Sequence, residues 1–546
     1  MTDILLLPSA ILVPDELRLD LGRIPTGMIP LHGKPILDHI IESYEDVHPY
    51  IACDQRAELI TEYIHREGLD ASAIEVNSAN SLGETIHDSL GEILREHPFD
   101  SDTNLYVNFS DTIVVPNQPE GRADFVSYAI EQNPIRWTCF DGSNKINSII
   151  PKLDPTATGT YQVFTGLFRF SDPSSYRDEL SVALADDENG TDPFYQALCR
   201  YLSNREYDLI EANEWIDVGH LDTYYQAKKQ FLNVRDFNSL NTENQQNRIT
   251  KSSKKTETLR SEYNWYMNLP EGLQHFSPAI SHYDEASASL ELEYIGYPGL
   301  RDLHLHGAHG LHIWNQIFDT LFSMLEMFGE YRTSENVQSS MEEMYLDKTT
   351  RRLSQIENEE LLSLFNRPEV RINRDSFRGL PIIRERLESA LREADLFDLD
   401  EFTVVHGDLC FSNILFDPRN GIVKLIDPRG EFGTHIIYGD PRYDLAKIRH
   451  SVSGNYDFII NDMFDATVEP SGDGVTYDVF IDEQHVERRQ LFDSLLKQQF
   501  PAWFKDIKLI ESLLFLSMVP LHDDSPERQQ YMLAHGIKQF NEVTSL

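Results

Sequence analysis

The sequence predicts an α/β protein built from two domains, and three observations carry that prediction. Before residue 236, short apolar strand-like runs such as "TNLYVNFSDTIVV" alternate with helical stretches such as "PILDHIIESYED", the rhythm of a layered α/β unit. The segment "DFNSLNTENQQNRITKSSKKTETLRSE", positions 236 to 262, is polar and clusters lysines in an otherwise acidic chain. Beyond it come "SLELEYIG", a long helical stretch "IWNQIFDTLFSMLEMFG", and "VVHGDLCFSNILFD" at 404 to 417, where polar residues interrupt an apolar core segment. The boundary is placed near residue 240. It divides a first domain (1–235) from a linker (236–250) and a second domain (251–546). The closing stretch, from "IKLIESLLFLSM" to "QYMLAHGIKQFNEV", reads as two helices.

A chain of 546 residues is long for one hydrophobic core, which agrees with more than one domain. No uninterrupted apolar run approaches the ~18 residues of a membrane span, so no membrane insertion is expected. The start, "MTDILLLPSAILVPDELRLD", reads as a strand rather than a signal peptide. Cys53, Cys139, Cys199 and Cys410 are scattered without ligand-like spacing, which fits a reducing cytoplasm and no structural metal site. The formal charge of -43 disfavours nucleic acid or an anionic membrane as the main partner. It leaves nucleotides open, because a small anion needs only a local positive pocket. A solvated surface accounts for the acidity, with mild salt adaptation as the alternative. Homo-oligomerisation is left open.

In the first domain, "IPTGMIPLHGKPILDHIIESY" sets Lys34 in a Gly/Pro-rich turn before an amphipathic helix. A lysine there can meet a phosphate or sugar phosphate, although Gly-Lys-Pro is also a plain turn. "TNLYVNFSDTIVV" reads as a strand carrying Asp111 at its end, and "EANEWIDVGHLDTYYQAKKQF" places Asp217 between a strand and a helix. Two acidic residues at the ends of different strands suit a divalent cation that aligns a phosphate with a nucleoside triphosphate. Residues 1 to 235 resemble the sugar-phosphate nucleotidyltransferases of the glucose-1-phosphate thymidylyltransferase and mannose-1-phosphate guanylyltransferase type. The motifs of that family include P-x-x-G-K-P-[IM]-[LI], a strand ending in G-D, and W-x-D-x-G. The resemblance implies a Rossmann-like fold, a catalytic role for Lys34 and metal binding by Asp111 and Asp217. It also implies Gly83 of "SANSLGETIHDSL" near the base, Gly166 near the sugar, and Lys152 of "IIPK" as a second phosphate contact. The chain departs from that family at its first loop. The family has a Gly-rich G-G-x-G-T-R cradle for the triphosphate; this chain has "PSAILVPDELRLDLGRIPTG", with Thr26 in place of a lysine and Ser-Asp in place of Gly-Asp. Arg18, Arg23 or a different loop geometry compensates, or the domain binds a sugar-like ligand without catalysing.

In the second domain, "VVHGDLCFSNILFD" and "GIVKLIDPRG" bring Asp408, Asn413 and Asp427 into a short span. Hard oxygen ligands suit magnesium, and phosphoryl transfer also needs a carboxylate to orient the accepting hydroxyl. Loop capping by Asp408 and Asn413 is the plainer alternative. The pattern resembles the aminoglycoside phosphotransferase and choline kinase family, which carries H-G-D-x-x-x-x-N followed by a second metal-binding aspartate. The resemblance implies a bilobal protein-kinase-like fold, Asp408 as catalytic base, Asn413 and Asp427 as magnesium ligands, and His406 as a residue shaping the loop. It also implies Lys251 of "RITKSS" on the ATP phosphates and Glu262 of "ETLRSEYNWYMNLP" orienting it, with the neighbouring lysines of "SKK" as competitors. Backbone groups from Glu293 to Ile295, in "SLELEYIGYPGLRDL", would read the base. Asp440 and Asp444 lie one helical turn apart, and structural bracing is expected of both. Arg429 stands where it could meet phosphate or substrate. The histidines of "HLHGAHGLH", His304, His306, His309 and His312, invite zinc, but a helix start is the plainer account. The absence of G-x-x-x-x-G-K-[ST] argues against a P-loop kinase. H-G-D in place of H-R-D, without an A-P-E element, argues against a protein kinase.

The two halves together suggest a cytoplasmic bifunctional enzyme. One half phosphorylates a sugar, polyol or amino alcohol with ATP; the other couples the product to a nucleoside monophosphate, in a path such as polysaccharide biosynthesis. The alternative is a kinase with a degenerate nucleotidyltransferase-like domain, and a scaffold without catalysis is a further class.

Overall fold

The computed structural model describes residues 3–76, 81–96, 103–116, 124–132, 134–151, 158–186, 191–231, 238–243, 247–253, 255–469, 472 and 474–544. The chain forms two compact units, Met1–Phe231 with His306–Ala308, and Leu232–Leu305 with His309–Leu546. It is mixed α/β throughout. Among the described residues no helix is long and apolar enough to cross a membrane.

The first unit is organised on a mixed sheet. Its main strands are β1 (Asp3–Pro8), β2 (Val47–Cys53), β3 (Ser72–Glu75), β4 (Leu105–Asn108), β5 (Thr112–Pro116), β6 (Asp124–Gln132), β7 (Thr160–Phe170) and β8 (Tyr207–Asp217), in the spatial order β3-β2-β1-β4-β7-β6-β8-β5. Strand β1, "DILLLP", is a continuous apolar run because it is covered on both faces. Alternation sends Ile4 and Leu6 into one core and Leu5 and Leu7 into the other. β1 pairs in parallel with β2 on one side and β4 on the other. The chain therefore leaves β1 in opposite directions across the sheet, and the carboxyl ends of β1 and β4 mark its topological switch point, where ligands bind in such sheets.

Two elements differ from the sequence reading. "TNLYVNFSDTIVV" is two strands, β4 and β5, and Asp111 sits in the turn between them rather than at the end of one strand. The turn is forced where Thr112 leaves β4's line to pair with Asp217 of β8. The altered first loop contains a helix, α1 (Asp15–Leu21), with Leu17 and Leu21 buried alongside Val13, Ile24 and Met28. Apolar residues at 13, 17, 21 and 24 give this segment a core-facing stripe. The helix α2 (Leu82–Glu96) buries Ile86, Leu90 and Ile93, the i, i+4, i+7 stripe of an amphipathic helix.

The second unit begins with a four-stranded antiparallel sheet. The segment read as linker, 236–250, contains β9 (Asn238–Glu243) and the start of β10 (Arg248–Ser253); the two strands pair with each other. Polar composition concealed them, because β10 is flanked on both sides and keeps only Lys251 buried along its described length. α3 (Thr256–Asn268), β11 (Ile280–Asp284) and β12 (Ser289–Glu293) complete this part, in the order β9-β10-β12-β11. The rest is largely helical: α4 (Leu311–Phe328), α5 (Lys348–Ser354), α6 (Pro441–Val452), α7 (Phe504–Met518) and α8 (Pro526–Thr544). The last two are the closing helices read from sequence. A short strand β13 (Phe402–Val404) leads to the polar loop, and the hairpin β14 (Ile414–Asp417) and β15 (Ile422–Leu425) follows it. One large core, including Trp265, Trp314, Phe411, Leu425 and Phe515, supports this loop from several sides.

Candidate functional sites

In the second unit the loop at 405–413 is fixed by its backbone. Asp444, fully buried on α6, accepts from the amides of His406 (2.6 Å) and Gly407 (2.9 Å). Trp265 of α3 donates its indole N–H to the Val405 carbonyl at 2.7 Å. The His406 ring is buried; its Nδ1 accepts from the Asp408 amide (3.3 Å) and its Nε2 donates to the Ile426 carbonyl (3.0 Å). Burial pushes this ring down to about 4, so it is neutral and spaces the loop from the strand after it. Asp440 caps α6 and holds the buried Arg442 (2.7 Å) and the Tyr345 hydroxyl (2.8 Å), while Arg442 also pairs with Asp506 (2.8 Å). Both aspartates hold framework.

Asp408 is presented by this frame. Asn413 donates its amide to the Asp408 carbonyl (2.8 Å) and carboxylate (3.2 Å). Lys447 on α6 pairs with the other carboxylate oxygen at 2.8 Å. Burial works to raise the Asp408 carboxyl, but the Lys447 ammonium outweighs it and holds the group below the usual range. Lys447 was missed in the sequence, although it lies three residues after Asp444 and so on the same helical face. Asp427 follows β15 with φ +56°, a conformation a non-glycine residue adopts only when its surroundings impose it. Its carboxylate meets the Lys251 ammonium at 2.8 Å, and Lys251 also meets Glu262 of α3 at 2.6 Å. Burial acts to lower Lys251, yet the Asp427 and Glu262 carboxylates more than offset it, so the ammonium stays charged. Three residues from three separate segments are thus joined, and Lys251 rather than a neighbour in "SKK" occupies the centre.

Asn413 and Asp427 are brought close through the Ile426 amide, which donates to the Asn413 carbonyl at 3.0 Å. A carboxylate and an amide oxygen are the donor types magnesium takes when it keeps several waters, so these residues fit that ion. Glu293 closes β12, with its amide donating to the Ala279 carbonyl at 2.9 Å. Ile295 lies in the irregular segment beyond, which is tied to the hairpin by Phe416 donating to the Pro298 carbonyl at 2.9 Å. His304 is buried beside Arg488, whose Nη1 lies 2.6 Å from its Nδ1, and α4 starts at Leu311.

In the first unit, Asp111 and Asp217 converge. The register that sets Asp217 opposite Thr112 puts the two side chains next to each other. A Cβ on Gly219 would stand 2.5 Å from Asp111 Oδ2 and 3.2 Å from Asp217 Oδ1, so both carboxylates close on the space that glycine leaves. Asp217 accepts from the Gly219 amide (2.8 Å), Trp137 Nε1 (3.0 Å) and Thr223 (3.3 Å). Burial, and then the charge of Asp217, push Asp111 up to about 7. Two partly buried carboxylates that converge on one glycine suit a divalent cation, whose charge relieves the repulsion.

The other expected residues have local accounts. Lys34 is half exposed, 2.9 Å from Glu42 and 3.8 Å from Asp38. Gly83 donates its amide to Asp192 (3.1 Å), which caps α2, and a Cβ there would meet Pro193 and the Phe194 backbone. Arg18 donates to the Val13 carbonyl (3.0 Å) and pairs with Asp15 (2.5 Å), while Arg23 is exposed. Lys152 lies outside the described residues. At the carboxyl end of β1, Ser110 donates to the Pro8 carbonyl (2.7 Å) and shares a hydrogen bond with Thr26 (2.7 Å), and the Gly27 amide donates to Ser9 (2.9 Å).

No family model matches the chain, and no curated protein is matched. Solved structures are similar over its N-terminal ~42%. HddC from Yersinia pseudotuberculosis is 18% identical, with 42% of this chain and 100% of that one covered at a TM-score of 0.31. A nucleoside-diphosphate-sugar pyrophosphorylase from Vibrio cholerae is 19% identical over 41% and 100%, at 0.33. A CTP:phosphocholine cytidylyltransferase from Streptococcus pneumoniae is 11% identical over 42% and 100%, at 0.32. Scores at this level do not establish a common fold, and the functional reading rests on the chain's own residues.

Proposed function

We propose that the second unit is an ATP-dependent kinase of a small-molecule alcohol. The observation that carries the reading is the joining of Lys251, Glu262 and Asp427 beside a backbone-fixed loop that presents Asp408 and Asn413. Lys251 holds the nucleotide phosphates, and Glu262 keeps its ammonium oriented. Asp408, ionised by virtue of Lys447, orients the acceptor hydroxyl and takes its proton. The acceptor oxygen forms a bond to the γ-phosphorus, the bond to the bridging oxygen breaks, and ADP leaves. Magnesium, held by Asn413 and Asp427, supplies neutralisation of the phosphate charge.

We propose nucleotidyl transfer for the first unit, with Asp111 and Asp217, which converge at Gly219, as the residues that would hold a second magnesium. There a phosphomonoester oxygen attacks the α-phosphorus of a nucleoside triphosphate and pyrophosphate leaves. One observation favours the second reading, ligand binding without transfer: the first loop carries an amphipathic helix that buries Leu17 and Leu21 and whose Arg18 is engaged locally, in place of a phosphate cradle. The test is a screen with ATP and magnesium over sugars, polyols and amino alcohols, each product then being offered with CTP, UTP, GTP and dTTP. ADP formation that depends on one acceptor supports the kinase. Pyrophosphate release from its product supports transfer, and its absence with all four triphosphates decides for binding alone.

A further inference from the structure

A second cluster of charge adjoins Asp408, and the catalytic scheme leaves most of it unused. Tyr443 on α6 accepts from Arg429 Nη1 at 3.3 Å and from the Lys348 ammonium at 3.4 Å. Lys348 is buried, 8% exposed, and its nitrogen also stands 5.6 Å over the Tyr443 ring. It opens α5 directly after a π-helical turn, Glu342–Asp347, a local widening of the helix frequent at functional sites. Lys447, one turn along α6 from Tyr443, is matched by Asp408. Among the described residues neither Lys348 nor Arg429 has a carboxylate at ion-pair distance. Two positive charges therefore stand without counter-anions next to the base, in a chain whose formal charge is -43. Desolvating an ammonium without a partner is costly and needs compensation. The field is felt locally. Burial would raise the Tyr443 phenol, but Lys348, Arg429 and Lys447 bring it down to about 8; burial, with Arg429 and Lys447, brings Lys348 down to about 8 as well.

We infer that Lys348, Arg429 and Tyr443 form an anion-binding subsite for the acceptor, so that the alcohol phosphorylated at Asp408 carries a carboxylate or a phosphate of its own. This rests on the kinase reading and narrows its acceptor class. An anion on these donors would replace the missing counter-charge and set the hydroxyl at a fixed distance from Asp408. The guanidinium fork of Arg429 suits either oxyanion. An ammonium-bearing acceptor would meet two uncompensated cations and be repelled.

The full-length chain is assayed for ADP release with matched acceptors: glucose against glucuronate, against glucose 6-phosphate, and against glucosamine, with glycerol, glycerate and glycerol 3-phosphate as a shorter series. The acid of a pair is expected to exceed its neutral partner at least tenfold in kcat/KM, with carboxylate and phosphate members separating the two sources. In Lys348→Met that advantage disappears through KM. A better neutral or amino acceptor, or equal loss on all acceptors in Lys348→Met, overturns the subsite while leaving the kinase standing. A second arm needs no turnover. With a non-hydrolysable ATP analogue and magnesium at saturation, sulfate at matched ionic strength is expected to raise the melting temperature, and Lys348→Met and Arg429→Gln each to lose at least half of that shift. If no acceptor in the panel is phosphorylated, this arm decides alone: a shift lost in both variants retains the anion subsite, and an unaltered shift overturns it.

Discussion

Asp408 and Lys447 show how one ion pair would set the working range of the carboxylate proposed as the base. The pair lies at 2.8 Å, and the ammonium holds the carboxyl below its usual range despite burial. Replacing Lys447 by Met removes the opposing charge and leaves the desolvation, so the carboxyl rises. The acid limb of the kcat/KM profile is then expected to move to higher pH, with kcat lower on the acid side. An unmoved limb would show that Asp408 is not the titrating base. In the first unit the sign is opposite. Asp111 is pushed up to about 7 from an ordinary 3.8. Between those values the folded protein holds a proton that the unfolded chain has released, so this group's stabilising contribution, complete below about 4, is lost as pH rises through about 7. At about 1.4 kcal/mol per unit, Asp111→Asn is expected to gain in melting temperature over the wild type as pH goes from 4 to 7. Added magnesium should narrow that gap by stabilising only the wild type. A pH-independent difference would place the raised carboxyl elsewhere.

Elements hold these groups by close approach. Gly430 has φ +70°, and a Cβ there would overlap the Ser261 carbonyl on α3, one residue before Glu262. The loop after Asp427 and the helix carrying Glu262 therefore touch through a glycine. Gly430→Ala combines an unfavourable backbone with a clash, costing about 1–3 kcal/mol. It is expected to lower kcat for phosphorylation while leaving pyrophosphate release unchanged; a variant of full kinase activity and stability would contradict the tie. This scale also marks what was legible in the sequence. Asp408, Asn413 and Asp427 could be named because their spacing is local, and Lys251 and Glu262 because of the family resemblance; the structure joins Lys251 to Glu262 and Asp427, and Asn413 to Asp408. The strand at 238–243 was hidden by polar side chains, since backbone pairing leaves no apolar trace. Lys348 was illegible for another reason: it meets Tyr443 from 95 residues away. The loop at 8–27 could be seen to lack its glycines, but not to contain a helix that packs Leu17 and Leu21 into the core.

For the whole molecule, the division into two units makes two chemistries separable. Changes in separately packed units without shared partners add independently. Asp217→Ala is therefore expected to abolish pyrophosphate release and to leave ADP formation within about twofold of wild type, measured on one preparation with both readouts. Loss of both together would mean that the carboxylates of the first unit serve the fold rather than a nucleotide. The formal charge of -43 keeps the surface repulsive to anions, so under the proposed reading the cations at Lys251, Lys348, Arg429 and Lys447 would be what admits a polyphosphate and an acidic acceptor. The central claim is that Asp408 is the base of a phosphoryl transfer to an alcohol. It is tested most directly by acceptor-dependent ADP release from Asp408→Asn, with circular dichroism confirming the fold. The account predicts a fall in kcat of roughly 10²–10⁴ with ATP affinity retained; a folded Asp408→Asn that turns over at the wild-type rate would contradict it.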